Sequence, residues 1–418
     1  MDEYIVGIDI GSSKVCSAAG KIDKQDRLQI VGVTTVKCSG LRKGIVVDID
    51  ATAESVKNSI EQLSGMIDSD IKNAYISLPA GICELIPSKG IIAISSDNKE
   101  ISKNDVLRVL NAAKIMSIPS NKEIVGLIPN QYTIDGYDNI KDPIGMSGNK
   151  LEVDAHVIIA QTTIIDNLVK SVNKAGIKVS GIVLEPLAIS QSAMKSDELK
   201  MGTALVDVGS EKIDISIYKK DSIVYTGMIA LGGNIITNDI SICLKIPFSE
   251  AEKVKIKYGN LEKSNRLNME NLEVHSTDNN KVTINASNLN DIIEARVDEF
   301  LQLIKNRLID SNYYEEISNI LIVGGGITQF PGICDLGKEV FGKSIRIGAP
   351  EYVGASSPIY NTAVGIIKDV VNSPSVNYNP DKNWETPANK SKVSTEFKQE
   401  YKDTGILSKI KGFLADFF

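Results

Sequence analysis

Histidine is nearly missing from this 418-residue chain, which has only His156 and His275, far apart in sequence. That excludes a histidine-based catalytic triad and a multi-histidine zinc site. Cysteine is scarce too: Cys16, Cys38, Cys83, Cys243 and Cys334 are odd in number and nowhere spaced Cys-x-x-Cys. They read as reduced, buried small residues of a cytosolic protein, not as a disulfide framework. Positive charge is not in excess, with 46 Lys and Arg against 53 Asp and Glu and a net charge of −7. A broad electrostatic grip on nucleic acid is therefore not expected. No apolar run approaches the roughly 20 residues that span a bilayer. The acidic start, Met-Asp-Glu-Tyr, runs directly into a strand pattern and does not read as a signal peptide. A soluble intracellular protein is the expectation. What is present is ordinary, 42% hydrophobic and 24% charged residues, with length for roughly two to four domains.

The opening reads as strands at 4–10, 15–19 and 28–36, the first two joined by the turn Gly11-Ser12-Ser13-Lys14. A helix pattern at 51–65 and a buried strand at 73–78 follow. From 163 a helix with Leu168, Val169 and Val172 on one face leads into a strand at 177–184. The strand Thr203–Val208 then meets a second turn, Gly209-Ser210-Glu211-Lys212, before two further strands. Aligning the two openings matches Asp9 with Asp207, Gly11 with Gly209, Ser12 with Ser210 and Lys14 with Lys212. Ile8, Ile10 and Val15 match Val206, Val208 and Ile213. The repeat predicts a duplicated α/β domain with its two copies about half the chain apart. Residues 83–162 interrupt the first half with strand-like runs at 91–95, 124–128 and 155–159, a helix at 102–115 and a turn-rich stretch at 135–150. They form an inserted small α+β subdomain. Residues 233–300 interrupt the second with helices at 233–244 and 248–258, a polar hairpin region and the start of a long helix at 288–310.

The paired turns carry the chemistry. A tight Gly-Ser turn exposes backbone N–H groups that cradle phosphate oxygens. Ser13 completes the first turn, and Lys14 adds a point charge for a β- or γ-phosphate. Asp9 and Asp207, at strand ends, suit Mg²⁺ held through its waters. If the halves face each other, the turns grip a nucleoside triphosphate from both sides. Two glycine turns supply a nucleotide floor: Gly232-Gly233-Asn234 and Gly324-Gly325-Gly326. Glu185, before Pro186 at a helix start, orders a water near a γ-phosphate or simply caps its helix.

Asp-x-Gly-Ser-x-Lys, Glu-Pro-Leu-Ala, Val-Asp-Val-Gly, and Val-Gly-Gly-Gly followed by Pro-Gly resemble the nucleotide motifs of the actin, sugar-kinase and heat-shock-chaperone superfamily. More narrowly, the string Ala230-Leu-Gly-Gly-Asn-Ile-Ile-Thr-Asn-Asp-Ile240, the 83–162 insert and the tail resemble the FtsA family of actin-like cell-division proteins. The resemblance covers essentially the whole chain. It implies an actin-like ATPase fold, ATP and Mg²⁺ between two lobes, and self-association into filaments. It also implies binding of the C-terminal peptide of the tubulin-like FtsZ by the 233–299 subdomain, recruitment of later division proteins, and a place at the division site on the cytoplasmic face of the membrane. Glu252 and Lys255 join the implied nucleotide contacts. The implied domains are 1–82 with 163–196 for the first core, 83–162 for the insert, 197–232 with 300–370 for the second core, and 233–299 above it. Glu211 departs from the pattern, standing where related enzymes often have small or hydroxyl residues, so hydrolysis is expected to be slow at most.

The far end reads independently of the resemblance. Residues 371–404 hold Pro374, Pro380, Pro387 and the single tryptophan, Trp384, with no periodicity, and read as a flexible linker. In 405–418, Ile406, Leu407, Ile410, Phe413, Leu414, Phe417 and Phe418 make one helical stripe. Such a helix is about 21 Å long, too short to span a bilayer and suited to lying in an anionic membrane surface. A small-molecule kinase or a pilus-assembly scaffold of the same superfamily would share the turns, but neither needs a lipid-binding tail.

Overall fold

The computed structural model describes residues 4–262, 271–275 and 281–372. Trp384, the 373–404 part of the expected linker and the apolar stripe of 405–418 lie outside the described residues.

Two five-stranded sheets share one topology. The first runs Lys178–Leu184, Asn73–Leu78, Ile5–Ile10, Lys14–Ile22, Leu28–Lys37. The second runs Ser344–Ile347, Asn319–Val323, Thr203–Val208, Ile213–Lys219, Ser222–Ile229. In each, three strands form an antiparallel meander, and the meander's first strand pairs in parallel with a fourth, which pairs with a fifth. Register repeats as well: Asp9 faces Cys16 and Ile10 faces Val15, while Asp207 faces Asp214 and Val208 faces Ile213. The duplication legible in the turns thus extends through whole sheets. The central strands are apolar because helices cover them.

The helix Ile49–Ile67 begins where the Asp48 side chain accepts from the Ala51 N–H, and it buries Ala53, Val56, Ile60 and Leu63. That three-to-four spacing makes one apolar face toward the sheet. In the second lobe the long helix Ala286–Asp310 does the same with Leu289, Ile293, Val297, Phe300, Ile304 and Leu308. Above the second sheet stand the helices Gly233–Leu244 and Phe248–Tyr258 and the short hairpin of Leu272–His275 and Lys281–Ile284.

The insert has its own sheet, in the order Cys83–Ala93, Lys150–Gln161, Lys122–Ile134, Tyr137–Ile140, with the helix Lys103–Ala113 against it. A separate core of Val109, Leu127, Leu151, Val153 and Val157 holds it together. Its strands run longer than their apolar stretches because polar residues such as Glu152 and Asp154 alternate outward between buried ones.

Two expectations are corrected. The 300–370 segment is not confined to the second lobe. Its last helix, Asn361–Asn372, buries Ala363, Val364, Ile366 and Ile367 against the first lobe's strand Ile5–Ile10 and the helix Glu185–Ala193. A helix apolar around most of its circumference needs cover on two sides, and the sheet and neighbouring helix supply it. The cysteines are all free, but only Cys16 and Cys38 are buried, and Cys243 is exposed. Among the described residues, no helix is long and apolar enough to cross a membrane.

Candidate nucleotide site

The two turns close identically: the Gly11 N–H donates to the Lys14 carbonyl at 2.9 Å, and the Gly209 N–H to the Lys212 carbonyl at 2.9 Å. Asp9 and Asp207 end the adjoining strands. Ser77, on the neighbouring parallel strand, donates its hydroxyl to Asp9 Oδ1 at 2.8 Å. Burial pushes the Asp9 carboxyl up to about 7, the charge of Glu185 adds to the rise, and Ser77 and Lys212 oppose it. Asp207 is likewise pushed up by burial to about 7; Lys212 opposes this, and Asp214 and Asp9 reinforce it. The Asp9 charge thus reaches Asp207 from the other lobe.

Glycines bring the second lobe's turns together. A Cβ on Gly232 would sit 2.6 Å from the Ser210 carbonyl carbon, and the Asn234 N–H donates to the Ser210 carbonyl at 2.8 Å while the Gly233 N–H donates to that of Gly209 at 2.9 Å. Gly324 has φ +84° and leaves no room for a Cβ, which would lie 2.3 Å from Asp207 Oδ1. The Gly326 N–H bonds the Val208 carbonyl at 2.8 Å. Lys14 reaches across from the first lobe, its Nζ 3.8 Å from where a Gly325 Cβ would stand. On the first lobe's side, the Gly44 N–H donates to Ser12 Oγ at 3.2 Å, and the Ser13 carbonyl accepts from Cys38 at 2.9 Å.

Lys255, on the helix Phe248–Tyr258, is buried with its ammonium at the start of the helix Gly233–Leu244. Its ammonium donates to the Gly233 carbonyl at 3.1 Å and Thr237 Oγ1 at 2.7 Å, and pairs with Glu252 at 2.6 Å. Burial holds its pKa below the usual lysine value despite Glu252, and the nearby Lys14 charge adds to the lowering. Thr237 also donates to Glu252. Contacts thus bring the glycines of 209, 232–233 and 324–326 together beside Asp207, with Lys14 near Gly325, Lys255 and Glu252 at Gly233 and Thr237, and Asp9 near enough for its charge to act on Asp207.

Three side chains stand differently from expectation. Lys212 does not extend toward a phosphate position: its Nζ donates to Glu185 Oε2 at 3.0 Å and also bonds Asp214. Glu185, at the buried start of the helix Glu185–Ala193, is therefore held in an ion pair. Glu211 does not crowd the turn either. It leaves the second lobe and accepts from Arg42 Nη1 at 2.7 Å and from the Lys43 N–H at 2.9 Å. Arg42 and Lys43 belong to the short hairpin of Leu41–Arg42 and Ile45–Val46, so Glu211 joins the lobes beside the cleft.

Asp214 was not among the expected residues, yet it is buried and its Oδ1 has no hydrogen-bond partner. Its signal was in the register, since the residue opposite Asp207 on an antiparallel pair shares its face. Asp9, Glu185, Asp207 and Asp214 are four carboxylates acting on one another here; Glu185 and Asp214 share the ammonium of Lys212, while Lys14 and Lys255 stand by the glycine turns. Asp9 and Asp207 suit a hydrated divalent cation, and the turns with Lys14 suit phosphate. Among the described residues no three carboxylate, histidine or cysteine side chains converge as direct metal ligands.

Comparison with known proteins agrees with this architecture. The model for "Cell division protein FtsA" matches residues 204–365, and that for the "SHS2 domain inserted in FTSA" matches residues 81–159. The cell division protein FtsA of Bacillus subtilis (strain 168) is 36% identical over 368 residues, covering 88% of this chain and 83% of that protein. That of Borreliella burgdorferi is 34% identical over 423 residues, 99% of each. Among solved structures, a chain of a PilM–PilN type IV pilus biogenesis complex superposes with a TM-score of 0.62 at 15% identity, covering 89% of this chain and 99% of that one. MreB5 of Spiroplasma citri bound to AMPPNP gives 0.53 at 14% identity, covering 89% and 98%. These structures share the actin-like ATPase fold. By its sequence relatives, the chain belongs to the FtsA family of cell-division proteins.

Proposed function

We propose that the protein binds ATP with Mg²⁺ between its lobes, self-associates, and anchors FtsZ filaments to the cytoplasmic face of the membrane at the division site, where it helps recruit later division proteins. The observation that carries the nucleotide part is the pair of turns, one per lobe, closed by the same hydrogen bond and each with an aspartate at its strand end, with Lys14 of the first reaching Gly325 of the second lobe. Bound there, the metal would offset phosphate charge. Asp9 and Asp207 hold its waters, the N–H groups of both turns and Lys14 bind phosphate oxygens, and the glycines at 232–233 and 324–326 let the nucleotide lie close to backbone. Glu185, tied to Lys212, is not free to order an attacking water, which supports binding with slow turnover at most.

For the FtsZ peptide we assign a groove of about 380 Å³ between the helices Gly233–Leu244 and Ala286–Asp310. Exposed Ile242 offers an apolar contact. Arg296, held by Asp239 at 2.6 Å and by Glu299, offers a guanidinium for a carboxylate. The 405–418 stripe is the membrane contact; one short helix binds lipid weakly, and a filament of many copies gives the avidity that lasting attachment needs. The nucleotide reading is tested by calorimetric titration of Mg²⁺-ATP into the protein and into Asp207→Ala. Weaker binding by the variant supports the site; equal affinities remove Asp207 from it.

A further inference from the structure

The carboxylate cluster in the cleft is partly neutralised before any ligand arrives. Lys212 emerges from the second turn, and its ammonium bridges Glu185, which comes from a first-lobe helix, and Asp214, from the strand after the turn. All three side chains are at least seven-eighths buried, with 12% exposure for Lys212, 7% for Glu185 and 8% for Asp214. An ammonium so placed is costly to desolvate unless its donors are used, and two carboxylates use them. Both carboxylates also lie in reach of Asp207, whose cross-strand neighbour is Asp214.

We propose that Lys212 is a resident cation of this cleft, standing between Glu185 and Asp214 in the role a divalent metal would otherwise take. Two consequences follow. Glu185 is retained as a structural counter-ion joining the lobes, so Lys212 acts as a positioning residue that keeps this carboxylate away from an attacking water. The nucleotide-free cleft also has low metal affinity, because only Asp9 and Asp207 remain to draw a hydrated cation. The first consequence rests on the cleft being the nucleotide site; the second does not.

The test is therefore made without nucleotide. Mn²⁺ binding to the full chain is measured by the loss of the free-ion electron paramagnetic resonance signal, for the wild type, Lys212→Gln, Lys212→Arg and the double variant Lys212→Gln/Asp214→Asn. Removing one unit of positive charge from a buried cluster is expected to tighten Mn²⁺ binding by about tenfold or more in Lys212→Gln. Lys212→Arg, which keeps the charge, and the double variant, which removes one carboxylate with it, should stay near the wild type. Mn²⁺ bound equally by wild type and Lys212→Gln would overturn the proposal, as would tightening in Lys212→Arg to the same extent. If Lys212→Gln does not fold, wild-type Mn²⁺ affinity as tight as that of a three-carboxylate site would overturn it alone, and weak affinity together with a folded, weakly binding double variant supports it. Failure of ATP to bind the wild type would instead strike the nucleotide reading and leave this result standing.

Discussion

The bond from Glu211 to the opposite lobe makes a specific energetic prediction. Its carboxylate accepts from the backbone N–H of Lys43 and the guanidinium of Arg42. The two contributions differ in kind. Arg42 is 70% exposed while Glu211 is 13% exposed, so the ion pair is screened and is worth about 0.2–1 kcal/mol. The charged hydrogen bond to a backbone N–H is worth about 1.5–3 kcal/mol, much of it lost when the acceptor goes. Glu211→Ala should therefore cost about 2 kcal/mol of interlobe closure, Arg42→Ala less than about 1 kcal/mol, and Glu211→Gln an intermediate amount. Amide hydrogen exchange at Lys43 reads this directly. A 2 kcal/mol loss corresponds to roughly 30-fold lower protection, with Arg42→Ala changing it by less than about fivefold. If ATP leaves through lobe opening, its dissociation should quicken in the same order of variants. Arg42→Ala as costly as Glu211→Ala, or unchanged exchange at Lys43 in Glu211→Ala, would refute the assignment.

The buried aspartates predict a pH dependence. Both Asp9 and Asp207 have folded values raised from 3.8 to about 7, so the folded protein holds more protons than the unfolded chain between those limits. Their stabilisation is full below the unfolded value and is lost as pH rises through about 7. In metal-free and nucleotide-free buffer, Tm should fall from about pH 4 to 7, and Asp9→Asn/Asp207→Asn should flatten that fall; an unaltered slope in the double variant would contradict the burial argument. The lowered value of half-buried His156 works in the opposite sense, and comparison with the double variant separates the two. At the groove between the upper helices, Ile242→Asp and Arg296→Ala should each weaken binding of the FtsZ C-terminal peptide by about tenfold, measured by fluorescence anisotropy; unchanged binding in both would move the peptide site elsewhere.

The sheets were legible because their information is local. Apolar runs between glycine turns mark strands, and Asp-x-Gly-Ser-x-Lys repeated in the same strand–turn–strand setting marks a duplication. The glycines at 232–233 and 324–326 were legible for the same reason, since close backbone approach leaves few other residues suitable. What escaped depends on direction and distance. A lysine after a turn reads alike whether its ammonium meets phosphate or carboxylates, so the engagement of Lys212 by Glu185 and Asp214 was invisible. The partner of Glu211 lies 169 residues earlier in the chain, so an acid that looked like an obstacle to phosphate is a link between lobes. The return of Asn361–Asn372 to the first lobe had no marker either, because a helix apolar on most faces does not say which sheet it covers.

A nucleotide-binding division scaffold held to a membrane by its own tail should sediment with anionic lipid vesicles, and only by virtue of residues 405–418. The full chain and a chain ending at residue 404 are compared with and without Mg²⁺-ATP. Only the full chain should pellet, while both bind ATP equally. Equal pelleting of the two, or none by either, would contradict that.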